Sequence, residues 1–178
     1  SQPKERVAGW DVFIHEMTAL AKRAEAEHTH PTVFFMGSSP GVLQRIKERA
    51  VLDFPQLKIV TYSPPYKPEF SPEDTIAILS AINAANPDLL WIGMTAPKQE
   101  KWTYSHWQDL NIHCHVGTIG AVFDFYAGTA KRAPLWWQRH SLEWLYRLLT
   151  EPRRMWRRYI IGNALFIHNI LKEKRAKR

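Results

Sequence analysis

Residues 33–37, Val33-Phe34-Phe35-Met36-Gly37, form a short unbroken apolar run, the pattern of a strand buried on both faces. Ser38-Ser39-Pro40-Gly41 then turns the chain, and Val42, Leu43, Ile46 and Ala50 recur at helical spacing. Residues 58–62 read as a second strand, followed by a proline-rich loop over 64–68. Ser71-Pro72-Glu73-Asp74 combines a cap, a first-turn proline and two first-turn acids, and predicts a helix to about Ala85 that Asn86-Pro87-Asp88 stops. A third strand is predicted over 89–94, a helix from Pro97 to about Trp107, a fourth strand over 113–117 and a partly helical return over 120–128. Ahead of all these, Val12, Phe13, Met17 and Leu20 predict a helix over 11–26. Regular alternation of strand and helix signals predicts an α/β fold, a Rossmann-like parallel sheet flanked by helices.

From Leu135 the pattern changes. Trp137, Ser141, Trp144, Leu145 and Leu148 fall on one side of a single predicted helix, with Arg139, His140, Glu143 and Arg147 opposite. Thr150-Glu151-Pro152 ends it and opens a second, carrying Trp156, Ile160, Asn163 and Ile167 as a stripe. The expected organisation is a core over 1–134 and a helical appendage over 135–178.

Charge sharpens this division. Residues 131–178 hold 13 Lys/Arg against 3 acids and four of the eight tryptophans, whereas residues 1–130 hold 11 bases against 14 acids; +10 and −3 make the net +7. A basic, Trp-rich segment beside a nearly neutral body points to an anionic partner with an apolar part. An anionic membrane surface fits, and nucleic acid is the competing reading. The opening residues lack the basic start and apolar stretch of a signal peptide. The longest nearly apolar run, 159–171, falls short of the roughly 20 residues that span a bilayer. One cysteine, Cys114, allows no internal disulfide and suits a reducing compartment.

Candidate chemistry gathers where strands end. The turn from Gly37 to Gly41 stands at the carboxyl end of a predicted parallel strand, where open α/β sheets bind ligands and helix-start N–H groups meet phosphate; the alternative is an ordinary tight turn. Thr95-Ala96-Pro97-Lys98-Gln99-Glu100 repeats that placement, with Gln99 and Glu100 read either as substrate contacts or as caps of backbone donors. Asp124, after another strand, faces the same crevice or caps a turn. His113 and His115, like His28 and His30, lack a third ligand at a familiar spacing, and no Asp-x-Asp occurs, so neither a metal nor another cofactor is expected. A departing diphosphate would then need arginines, whose planar forks donate paired hydrogen bonds. Arg147, Arg154 and Arg157 surround the Pro152 junction and suit that role; a solvated face with a Glu143–Arg147 ion pair is the alternative.

Taken together, Arg6-Val7-Ala8-Gly9-Trp10-Asp11, Gly37 to Gly41, Pro87-Asp88-Leu89-Leu90, Ala96-Pro97-Lys98-Gln99-Glu100-Lys101-Trp102, Gly120-Ala121-Val122-Phe123-Asp124-Phe125, Lys131-Arg132-Ala133-Pro134 and 142–149 with Glu151-Pro152 resemble the WecG/TagA/CpsF family of bacterial glycosyltransferases, over residues 6–158. The resemblance implies a cytoplasmic enzyme, peripheral on the inner face of the plasma membrane. It would move a sugar (N-acetylmannosamine-type, uronic acid or hexose) from a UDP-sugar donor to a polyprenyl-diphosphate-linked acceptor in surface or exopolysaccharide synthesis, inverting and metal-independent. It places Gln99 and Asp124 in the substrate pocket with Arg6 helping to hold it, and gives Arg147, Arg154 and Arg157 the catalytic cationic role; Asp11, Gly37, Glu100 and Arg132 are further expected substrate-binding residues. The appendage is expected to dock on an anionic membrane surface; a homo-oligomer is compatible, and nucleic acid is not an expected partner. A noncatalytic nucleotide- or nucleic-acid-binding basic module is the alternative. Thr95, Trp10 and Thr118-Ile119 depart from the family pattern. The family's proposed general base, an aspartate, lies in a further amino-terminal stretch, so the chain reads first as a fragment; the alternatives are a shortened member that uses another carboxylate such as Asp11 or Asp124, or a chain inactive as given.

Overall fold

The computed structural model describes residues 7–140, 142–150 and 152. The chain divides into two compact units, Ser1–Ala130 and Lys131–Arg178. The first holds α1 (Gly9–Glu27), β1 (Thr32–Gly37), α2 (Pro40–Asp53), β2 (Lys58–Tyr62), α3 (Pro72–Ala85), β3 (Leu89–Gly93), α4 (Lys98–Ser105), a 3-10 turn (Trp107–Asp109), β4 (His115–Thr118) and α5 (Ala121–Tyr126). The four strands form one parallel sheet in the order β2-β1-β3-β4, so the expected α/β architecture stands.

Local chemistry explains the boundaries. Ser71 Oγ accepts from Asp74 N while Asp74 Oδ2 accepts from Ser71 N, a reciprocal cap that starts α3. Asn86, left-handed at φ 40°, ends it. Ser39 caps α2 through Val42 N, with Pro40 in the first turn. Asp88 Oδ2 accepts from Thr32 N at 2.7 Å and so pins the start of β3 to the start of β1.

Every residue of β3, and every residue of β1 but the first, is buried, which is why their sequences are unbroken apolar runs. Strand alternation sends Val33, Phe35, Leu89 and Trp91 to one face, where they meet Phe13 and Met17 of α1, Leu43 and Ile46 of α2, and Phe123 and Tyr126 of α5. Phe34, Met36, Leu90 and Ile92 go to the other face, against Ile78 and Ile82 of α3 and Trp102 of α4. Large and small residues are paired across strands: Trp91 lies beside Gly117 in register, and a Cβ on Gly117 would enter the indole. Arg49 of α2 lies over the Tyr126 ring, 4.5 Å from its centroid, and the Tyr126 hydroxyl donates to Asp53 at 2.9 Å, joining α2 to α5.

Two boundaries differ from the sequence expectation. The fourth strand begins at His115 because Leu89, the first residue of β3, pairs with His115, leaving His113 and Cys114 without strand partners. The helix after Pro97 ends at Ser105 and yields to the short 3-10 turn.

The second unit, taken by itself, contains α6 (Leu135–Arg139) and α7 (Glu143–Thr150). The single helix expected over this stretch is thus two. Leu142 N donates back to Trp137 O at 2.8 Å, while Leu142 O accepts from Leu145 N and Tyr146 N, so the first ladder closes and a new one opens there. Trp137 packs edge-on to Tyr146, and Arg132 Nε lies 3.7 Å from Glu143 Oε1. Leu135, Trp136, Trp144 and Leu149 remain exposed. The further helix expected after Pro152 lies outside the described residues.

Candidate functional site

The strand order creates a switch point. From β1 the chain passes to α2 on one face of the sheet, and from β3 to α4 on the other, so the carboxyl ends of β1 and β3 border a crevice. Gly37 and Gly93 are register partners at the ends of these strands. Gly37 has φ 115°, and a Cβ there would stand 2.5 Å from the carbonyl oxygen of Gly93. A Cβ on Gly93 would in turn enter the Phe123 ring. Both glycines are buried and closely covered, Gly37 by Gly93 and the Met94 side chain and Gly93 by the Phe123 ring, so they fit the two strand ends to their neighbours at the switch point.

The turn after Gly37 is also unusual. Ser38 is left-handed at φ 58°, and its carbonyl accepts from Ser63 Oγ at 2.8 Å, tying the β2–α3 loop to the crevice turn. Gly41, in the first turn of α2, is exposed, with open space where a Cβ would stand. The helix start is therefore accessible to an anion.

On the β3 side, Ala96-Pro97 is a cis peptide bond ahead of α4. Gln99 is 5% exposed, and its Oε1 accepts from Met94 N and from Gly120 N, each at 3.2 Å. Its Nε2 donates to Glu100 Oε1 at 2.8 Å. Gln99 thus links the turn after β3 to the Gly120 turn after β4, and a Cβ on Gly120 would stand 2.5 Å from Met94 O. Lys98 Nζ donates to Lys67 O at 2.7 Å and lies 3.3 Å from the centroid of the Phe70 ring. Burial pulls this ammonium below the ordinary lysine value, with nearby Asp74 opposing the shift.

Of the sequence candidates, Gly37, Gln99 and Glu100 come together at this carboxyl edge. Asp11 lies in the first turn of α1, where its carboxylate accepts from Ala8 N at 2.9 Å; Gly9 of the same turn borders Ile119 and Val122. Asp124 is half-buried in α5, one turn beyond Gly120. Arg132 and Arg147 belong to the second unit. Arg6, Arg154 and Arg157 lie outside the described residues. Gly93, Ser63 and the Lys98–Phe70 pair escaped the sequence reading, since strand glycines look merely structural and neither contact follows a helical or strand spacing.

Other candidate groups have partners elsewhere. His115 sits 3.4 Å from Glu16 and packs on Trp91, and His30 contacts Gln56 O. Among the described residues, no group of three or more His, Cys, Asp or Glu is placed to hold a metal ion. Burial, and secondarily Asp88, push the Cys114 thiol up to about 11, which favours its protonated form at neutral pH. Among the described residues, no helix is long and apolar enough to cross a membrane.

Residues 1–178 match the glycosyl transferase WecG/TagA/CpsF family. The chain belongs to this family. It is 34% identical over 173 residues to an N-acetylglucosaminyldiphosphoundecaprenol N-acetyl-beta-D-mannosaminyltransferase of Bacillus spizizenii, covering 97% of this chain and 62% of that protein. It is 30% identical over 175 residues to the Bacillus subtilis protein of the same name, covering 98% of this chain and 63% of that relative. The chain thus spans somewhat less than two thirds of the length of these relatives. In this family member the Gly37–Gly93 strand ends, the Gln99 tie and the Gly120 turn lie together at one edge of the sheet.

Proposed function

We propose that the protein is a glycosyltransferase that moves a sugar from a UDP-sugar to an undecaprenyl-diphosphate-linked saccharide, with inversion and without a metal. The observation that carries this reading is the switch point between β1 and β3 with the exposed start of α2 beside it, in a chain of this family. A topological switch point beside an accessible helix start suits the diphosphate of a nucleotide sugar. The names of the two Bacillus relatives make an N-acetylmannosaminyl donor group and an N-acetylglucosaminyl-diphosphate acceptor the first choice. A uronic acid or hexose donor is the alternative.

In such a transfer the acceptor hydroxyl oxygen bonds to the anomeric carbon as the bond from that carbon to the UDP oxygen breaks. The hydroxyl proton passes to a carboxylate, for which Asp11 and Asp124 are the candidates in this chain. Negative charge grows on the departing diphosphate, and Arg147, Arg154 and Arg157 are the groups we assign to neutralise it. UDP calorimetry tests the reading: the protein should bind UDP, and Arg147→Ala should bind about tenfold more weakly with little change in melting temperature. Absence of UDP binding, with tight salt-sensitive binding to a generic oligonucleotide, would replace the enzyme with a basic nucleic-acid-binding module.

We assign the second unit to docking on the inner face of the plasma membrane. Exposed Leu135, Trp136, Trp144 and Leu149, in a segment with 13 bases against 3 acids, combine apolar insertion with attraction to anionic lipid. The protein should sediment with anionic vesicles at low salt and release as salt passes about 0.15 M. Equal sedimentation with neutral vesicles would remove the electrostatic part of this assignment.

A further inference from the structure

The β2–α3 loop, residues 63–70, is held at both ends by the turns that border the crevice. At its start Ser63 Oγ donates to Ser38 O at 2.8 Å, directly after Gly37. At its far end the Lys98 ammonium, at the start of α4, donates to Lys67 O at 2.7 Å and caps the face of Phe70. Lys67 itself pairs with Asp74 at 2.7 Å, the same carboxylate that caps α3 through Ser71 N. Pro64, Pro65 and Pro68 remove backbone freedom between these anchors. A cation in the first turn of a helix opposes the helix dipole, so Lys98 contributes nothing favourable to α4 in that way. What it holds is the loop.

We propose that Lys98 is a positioning residue which, by pinning Lys67 O and Phe70, fixes the β2–α3 loop as a rigid wall of the nucleotide-sugar crevice. This inference rests on the glycosyltransferase reading for the identity of the ligand, but not for the anchoring itself. A loop tied only at Ser63 would sample open positions, and the ligand would then have to order it on binding. Lys98 touches neither reacting atom; it acts through residues 63–70.

The test uses Lys98→Met, which keeps the unbranched stem but removes the charge and the donor, and Lys98→Arg, which can still donate to Lys67 O and stack on Phe70. Loop anchoring is read without any ligand, as the rate at which chymotrypsin nicks after Tyr66, which is wholly exposed on the loop. Lys98→Met should speed nicking about tenfold and weaken UDP binding about fivefold, and Lys98→Arg should restore most of both. Nicking at the wild-type rate in Lys98→Met overturns the anchoring. Faster nicking with unchanged UDP affinity overturns the role at the crevice. Failure of the wild-type protein to bind UDP defeats the glycosyltransferase reading instead, while the nicking rates still decide whether Lys98 anchors the loop. If Lys98→Met does not fold, Phe70→Leu removes the ring under the ammonium and must raise the nicking rate in the same assay, or the anchoring is refuted.

Discussion

Gly37→Ala is expected to cost roughly 3–5 kcal/mol, from a strained backbone and from overpacking in a closely fitted core. Two observations combine here. Gly37 holds φ 115°, a region that residues with a Cβ rarely enter, and the added carbon would stand 2.5 Å from Gly93 O and 2.8 Å from Gly93 C. Both are backbone atoms of the central strand β3, which cannot swing aside as a flexible side chain can. Gly93→Ala should cost less, about 1–3 kcal/mol, because its clash is with the Phe123 ring, which can shift at the expense of packing against Phe35. Gly41→Ala is the contrast: with open space around it and a place in the first turn of α2, it should gain about 0.4–1 kcal/mol. Urea unfolding followed by tryptophan fluorescence checks all three. An unchanged midpoint for Gly37→Ala would mean that the strand ends are not fitted together as closely as this geometry requires.

How far such features are legible in the sequence depends on whether their cause is local. Ser71 and Asp74 cap each other three residues apart, so the start of α3 can be read from four consecutive residues. The apolar runs of β1 and β3 likewise announce burial on both faces. Where β4 starts is decided by its partner, since Leu89 pairs with His115; nothing within the polar His113-Cys114-His115 segment marks that point. The break between α6 and α7 is hidden because apolar residues continue at helical spacing across it, while the deciding bond, Leu142 N to Trp137 O, leaves no compositional trace.

The site follows the same rule. Gly37 and Gln99 are visible as strand-end residues, because the fold places ligand crevices there. Their detailed work is not visible. Gly93 matters only through its register with Gly37, and Lys98 reaches Phe70 and Lys67 across 28 and 31 residues of sequence. Charge and aromatic composition suggest a partner for the second unit without specifying any side-chain geometry.

Gln99 provides the second large effect. A residue that only touched substrate could be changed with little loss of stability, but Gln99 Oε1 receives the N–H groups of Met94 and Gly120, one from each of two turns. Gln99→Ala leaves both half-buried donors to find water or go without, and opens a cavity where a nearly buried side chain stood. At about 1–3 kcal/mol for each donor left unpaired, moderated by water reaching these half-buried groups, a loss of roughly 3 kcal/mol is expected. Gln99→Met separates the causes: it preserves most of the volume but cannot accept both bonds, so it should remain destabilised by about 2 kcal/mol. Amide exchange at Met94 and Gly120 should accelerate in both variants, and UDP affinity should fall with stability because the two crevice turns lose their common tie. Native stability and unchanged exchange, together with a raised KM for the donor, would instead make Gln99 a direct substrate contact. The carboxamide would then have to leave these two amides when substrate binds.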